Sequence, residues 1–574
     1  MSLVGVLFAN DHAHDHGSES TSVPGGLIPP NEEHIPLLID KFLQNVHTKN
    51  PVLDVEQLVK HARNIASQGL GWDAWSCLVL LASALGTIAK SFGATTIFPS
   101  SPSVGRATTQ TTSAPDGTAS QRELQQAESY FVLACRRLGS LQYSILGSQC
   151  YFFAGVYLMY TMRPLLSWQY FAQSSQLYQL HMKSTHGIAA DISKLGELPI
   201  HHAHTPDIKR RRLEESMYWS CFKSECEFRV ELPLPQSEIA SYAHPQMFPS
   251  PPSPAGLDTN SEQDTGDLER TLSNCSTSNY STIGSIQSTT SDGEDSELRQ
   301  HAKQLCNEEE SWYYYLTEIA LRRIGNRIIN TFFSQGQAAW LDVKPLLGIA
   351  LEFDTQVSAW SANLPTAMQQ WEMNDTIRAP TLASFLDGTR NPVTRELSWA
   401  TDNRLLEMRS WLCQPFLYYF IHCQPPISFV PHLPDQDTFL SAVVKGTSNL
   451  TPENAAALHH FITSGIECAL KVLDVRALRH RHHGLWYDMR SLMTASLILL
   501  AVVMSGHEAW IPSGASILWG HGFSGEEAIG GKIGRVMVEF LFWSAESSVL
   551  SRHRDVLDEV TRTVHRVWAE RRMN

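Results

Sequence analysis

The sequence predicts an all-α fold, a multi-helix domain of antiparallel helical hairpins broken by disordered insertions. Three observations lead there. Apolar residues recur at three- and four-residue steps along most segments, the spacing of one helical face. Runs of strict two-residue alternation closed by hairpin turns such as Asn-Gly are missing. "SILGSQCYFFAGVYLMY" is apolar nearly all round, as a helix buried on every side should be.

The elements follow in order. Residues 1–32 read as a disordered tail, polar and rich in His, Ser and Pro from Asp11 to Glu32. Residues 33–98 carry the first helices, with helical periodicity over Val55–Ser67 and Trp72–Ser91. Residues 99–120 form a Ser/Thr/Pro connector. Residues 121–248 resume the helical domain over Arg122–Leu138, Leu141–Met162 and the run from Trp168 to Met182. These are expected to pack as successive hairpins, without a fixed period that would define a solenoid.

Residues 249–297 are rich in Ser, Thr, Asp and Glu and poor in aliphatics, so they cannot bury enough surface to offset their ordering entropy. They read as an insertion within one domain, removable without unfolding the rest. Ser288, Thr289, Ser291 and Ser296 at its acidic end are candidate phosphorylation positions, weighed against a plain solvated spacer. Residues 298–574 complete the helical domain. In "SWYYYLTEIALRRIGNRIINTFF", Leu316, Ala320, Ile324 and Ile328 form the apolar stripe.

Composition narrows the function. The chain of 574 residues is 43% hydrophobic and 18% charged, with a formal net charge of −14. That balance gives no electrostatic reason to seek nucleic acid or an anionic membrane. Ten cysteines occur without a CxxC pair, and Cys77, Cys135, Cys150, Cys413 and Cys468 lie in apolar runs, as buried reduced thiols do. "MSLVGVLFAN" lacks the basic region and cleavage site of a signal peptide, and the apolar run Leu492–Met504 is too short to span a bilayer. A soluble intracellular protein is expected.

Catalytic motifs fail one at a time. There is no GxGxxG after a strand, and "GEEAIGGKIGR" has the wrong glycine spacing for a phosphate loop, with Ile533 where Ser or Thr must reach magnesium. "GHGFSGEE" is no nucleophile elbow, "HEAWI" at His507 lacks a second histidine, and no DDxxD is present. No enzyme is expected. The histidines of "DHAHDH" (His12, His14, His16) and "HHAH" (His201, His202, His204) read as solvated low-complexity sequence, not metal sites. "RHRHHGLWYDMR", with Trp486 and Arg490 four apart, reads as a helix start and its packing.

The stretch "RRRLEESMYWSCFKSECEFRVELPLPQSEI" carries most information. Leu213, Met217 and Cys221 step by four with Tyr218 and Phe222 beside them, so an amphipathic helix packs Cys221 as a small hydrophobe and buries Trp219. Pro233 and Pro235 stop it. Lys209, Arg210, Arg211 and Arg212 match a basic nuclear-import signature, but read better as the charged first turn of that helix.

At these residues the chain resembles the regulatory region of the fungal binuclear-zinc-cluster transcription factors, the fungal-specific transcription factor domain. "HIPLLIDKFLQNVHTKNPVLDVEQL" and "GWDAWSCLVLLASALGTIA" are similar to its opening segments, and "LEESMYWSCFKSECEFRVELPLPQSEI" to its most recognisable block. "ESWYYYLTEIALRRIGNRI", "RSWLCQPFLYYFIHC" and "RHHGLWYDMRSLMTASLILLA" follow in order, so the resemblance runs from about His34 to Trp568. It marks Trp219, Cys221, Phe222, Trp312, Trp486 and Arg490 as motif core residues.

The family's six-cysteine zinc cluster has no counterpart before this region. No cofactor is therefore expected, and no sequence-specific DNA binding by this chain itself. The resemblance implies a nuclear regulator of transcriptional output. Its partners would be the transcriptional machinery or a DNA-binding partner, with a small-molecule effector as a further option. A stand-alone helical adaptor outside transcription is the alternative, and an all-α enzyme without a recognisable motif the third.

Overall fold

The computed structural model describes residues 30–92, 119–186, 205–232, 234–241, 248–252, 297, 300–301, 308–334, 336–364, 392–424, 450–475, 479–520 and 530–573. Among them are fifteen α-helices and no strand, so the fold is all-α. The first seven are α1 (Ile35–Asn45), α2 (Val55–Gln68), α3 (Ala74–Ile88), α4 (Gln121–Leu138), α5 (Ile145–Tyr160), α6 (Pro164–His186) and α7 (Thr205–Glu231). Then come α8 (Glu308–Ile328), α9 (Lys344–Ala362), α10 (Pro392–Cys423), α11 (Pro452–Val475) and α12 (Leu485–Met504). The short α13 (Ser516–Trp519) precedes α14 (Gly531–Trp543) and α15 (Ser548–Met573).

Local sequence fixes the helix starts. Asp54, Asp73 and Ser144 cap α2, α3 and α5 by accepting from the backbone N–H groups of Gln57, Ser76 and Gly147. Ser120 and Glu123 form a capping box on α4, so the last residue of the Ser/Thr/Pro connector already belongs to the fold. Order also begins before the expected end of the tail, where Asn31 caps the 3-10 turn Glu32–His34. Helix α7 ends at Glu231, just ahead of its prolines.

Two large apolar cores form, with a small third cluster of Phe92, Trp399 and Val475. The first gathers α1 to α7, with Tyr315 and Ile319 of α8 and Tyr487 of α12. Helices α5 and α6 pair antiparallel, since Ser167 donates to the Gly155 carbonyl and Ser148 to that of Ser174. Helices α1 and α3 cross so closely that a Cβ on Gly86 would lie 2.0 Å from the Leu38 carbonyl oxygen. The second core gathers α9 to α15 with the far half of α8. Gly465 of α11 sits against Leu417 and Cys413 of α10, and Phe461 stacks on Phe416 at 4.6 Å. Met162 is the one residue of the α5–α6 turn in this second core. It holds φ +53°, where Arg163 N–H reaches back to the Leu158 carbonyl at 2.8 Å, a Schellman closure normally given to glycine.

Two expectations shift. Leu492–Met504 lies in a helix of 20 residues, because Leu485–Ser491 continues it. By length and composition α12 could cross a bilayer, but 67% of its most apolar window is buried inside the molecule. On α8 the most buried face is not the predicted stripe. Leu316, Ala320 and Ile324 are half-buried, and Tyr314, Tyr315, Glu318, Ile319, Leu321 and Arg322 lie deeper with Ile328. Two charged residues on a core face require partners, and these define the site below.

Candidate functional site

Between the two cores runs a layer of buried charge. Its first part centres on Glu396 of α10. Lys49, on the 3-10 turn after α1, pairs with it through Nζ, and His480 Nε2 lies 2.9 Å from the same Oε1. Beside them Arg481 donates through Nη1 to the Tyr160 carbonyl at 2.7 Å and pairs through Nη2 with Glu546. His482 Nε2 meets Asp488 Oδ2 at 2.9 Å, and its ring stands edge-on to Trp399.

The second part centres on two guanidinium groups. Arg404 of α10 donates to Glu227 of α7 at 2.7 Å and to Glu318 of α8 at 3.1 Å, and it pairs with Glu407. Arg322 pairs with Glu227 and with Glu318, the latter at 3.4 Å. Arg490 of α12 donates through Nε to Glu231 Oε2 at 3.0 Å. Lys223 Nζ donates to Asn50 Oδ1 at 2.8 Å and lies over the Tyr315 ring. All these side chains except Arg404, Glu231 and Glu546, which are partly buried, are buried. Each lobe thus contributes both signs, and the charges neutralise one another across the boundary.

Electrostatics follow from that enclosure. Burial alone would raise the Glu396 carboxyl, but Lys49 and His480 outweigh it and hold it at about 2. Burial pulls His480 below the ordinary histidine value, against the opposing pull of Glu396. Lys223 has no carboxylate in contact, and burial takes its ammonium down to about 8 despite the more distant Glu318. Burial would lower Arg404, yet Glu318 and Glu407 raise it further. Within the layer Glu396 is thus held ionised at neutral pH, while burial disfavours the charged forms of Lys223 and His480.

The sequence-predicted residues fall in several places. Trp219, Cys221 and Phe222 are buried in the first core, where Trp219 meets Tyr218 and Phe222 edge-on and stacks on Phe248. Burial pushes the Cys221 thiol up to about 12, which suits a packed hydrophobe. Half-buried Trp312 donates to the Pro249 carbonyl at 2.8 Å, tying the start of the Ser/Thr-rich stretch to α8. Trp486 is half-buried beside Phe228 and Tyr487. Of the six motif residues, Arg490 belongs to the charged layer. The basic run is paired along and around its helix: Lys209 with Asp54, Arg210 with Glu214, Arg211 with Glu215 and Arg212 with Glu308. Ser288, Thr289, Ser291 and Ser296 lie outside the described residues, as do His12, His14, His16, His201, His202 and His204.

Sequence reading missed Lys49, Lys223, Glu227, Glu318, Arg322, Glu396 and Arg404. One signal was available, since Glu318 and Arg322 share a helical face with Tyr314 and Tyr315. Among the described residues no group of three or more His, Cys, Asp or Glu side chains is arranged to hold a metal ion. Among the described residues the eight cysteines form no disulfide. The fold and layer define an all-α protein of two large apolar cores with an ionic seam between them. Set against known proteins, the chain matches no family model, no curated protein and no solved structure.

Proposed function

We propose that this chain is the regulatory region of a fungal transcription factor, acting in the nucleus on transcriptional output without catalysis. The reading rests on the ordered series of blocks that resemble the fungal-specific transcription factor domain. One observation supports it most. Four of those six blocks each place charged residues in the same buried seam: Lys49 from the first, Lys223 and Glu227 from the "MYWSCF" block, Glu318 and Arg322 from the next, and Asp488 and Arg490 from the last. Blocks scattered along a sequence gain a common purpose when they meet at one junction of the fold.

The test is a tethering assay. The chain is fused to an unrelated sequence-specific DNA-binding domain and reporter output is read against that domain alone. The proposal expects a several-fold change in output, upward or downward, from a fusion that is expressed and nuclear. Output equal to that of the DNA-binding domain alone would favour the adaptor reading.

A further inference from the structure

We propose that the ionic seam is a built-in opening plane: the lobe of α1 to α7 parts from the lobe of α9 to α15 along it, with α8 as the hinge. The argument starts from what crosses the boundary. Helix α8 packs Tyr315 and Ile319 in the first core and Leu321 and Ile328 in the second, so it is continuous through both. Apart from α8, the apolar crossings are small: Met162, the α12 pair Trp486 and Tyr487 against the first core, and a separate cluster in which Phe92 meets Trp399 and Val475. Beside them the two sides meet through the ion pairs described above.

Such an interface differs from an apolar one in what opening costs. Parting apolar faces loses their burial in full. Parting buried ion pairs returns each charge to water, which recovers most of the desolvation spent on enclosing it. The seam also holds donors that the closed state leaves without an acceptor among the described residues, the Trp399 indole N–H and the Tyr487 hydroxyl. Both gain a partner when water enters. The two cores, each contiguous, have no comparable line of weakness, so the seam is where the molecule opens first.

Hydrogen exchange on the full chain, followed by mass spectrometry, tests this. Backbone amides on the two seam faces, 46–50 and 479–485, should exchange faster than those of α3 and α11 in the core centres. Glu396→Gln leaves Lys49 uncompensated and should raise exchange on both faces at least about tenfold, with α3 and α11 unchanged. Lys223→Met removes a poorly compensated buried ammonium and should slow exchange on the same faces, which decides the matter if Glu396→Gln fails to fold. One common rate for seam and cores overturns the proposal. So does a uniform rise across the whole chain in Glu396→Gln, or unchanged seam exchange in Lys223→Met.

Discussion

Lys49 and Glu396, 347 positions apart in the sequence, meet as an enclosed ion pair whose side chains are 3% and 4% exposed. Acid should loosen this junction and the cores beside it in two stages. His47 is fully enclosed, accepts the Leu53 N–H at Nε2, and is held by burial at about 4. His480, His483, His507 and His553 are lowered in the same direction by burial, while the hydrogen bond with Asp354 raises His460. A histidine lowered on folding takes up a proton on unfolding, so stability falls as pH drops from 6.5 towards 4. Glu396, depressed to about 2, contributes fully above 4.5 and loses that contribution as pH falls from there. Urea midpoints measured from pH 7 to pH 3 should decline from near the upper value, and His47→Gln should flatten the first stage. A midpoint that holds level down to pH 4.5 would contradict this.

Lys223 gives the alkaline counterpart. Its ammonium is held at about 8 against an ordinary 10.5, so between those values the unfolded chain binds the extra proton. The Lys223 contribution to stability should then rise with pH across that window, against the falling contribution of buried thiols such as Cys221. Lys223→Met should therefore lose stability more steeply with pH than the parent over that window and be no less stable at neutral pH. The same pH slope in the variant would show that the charge is not buried as described.

Trp219 is 4% exposed and packed on three aromatic rings. Trp219→Ala should cost roughly 3–5 kcal/mol, the range for emptying an aromatic core position. Cys221→Ser is the control, since a hydroxyl can use the Ser174 partner that the thiol meets at 3.5 Å. An unchanged denaturation midpoint for Trp219→Ala would move the "MYWSCF" helix from the core to a binding surface.

Gly86→Ala tests the α1–α3 crossing. A new methyl must displace the backbone of α1 at Leu38, and overpacking of that kind costs about 1–3 kcal/mol. Gly348→Ala, on α9 with nothing within 4 Å of the added atom, should instead stabilise by about 0.5–1 kcal/mol. Equal effects at the two sites would mean that the close approach is not there.

Much of this architecture was legible in the sequence. Periodicity placed α2, α3, α4 and α5 to within a few residues, because amphipathic helices record their buried faces in spacing. Trp219 and Cys221 were legible for the same reason. The seam was not, since a charged residue on a helix reads as solvent-facing until its partner is known. Glu318 and Arg322 are paired by Glu227 and Arg404 from helices far away in sequence, and Lys49 by Glu396. Local spacing carries no trace of those partners. The length argument for Leu492–Met504 failed likewise, because the paired Asp488 and Arg490 let α12 extend through a buried region.

The central claim is that the two cores are joined by mutually compensating buried charges, and a double-mutant cycle on Lys49 and Glu396 tests it most directly. Lys49→Met and Glu396→Leu should each cost roughly 3–5 kcal/mol, because each strands one enclosed charge. The double variant strands neither and should return to within about 1 kcal/mol of the parent, a large favourable coupling. If the two losses simply add in the double variant, the charges do not compensate each other and the seam as described does not exist.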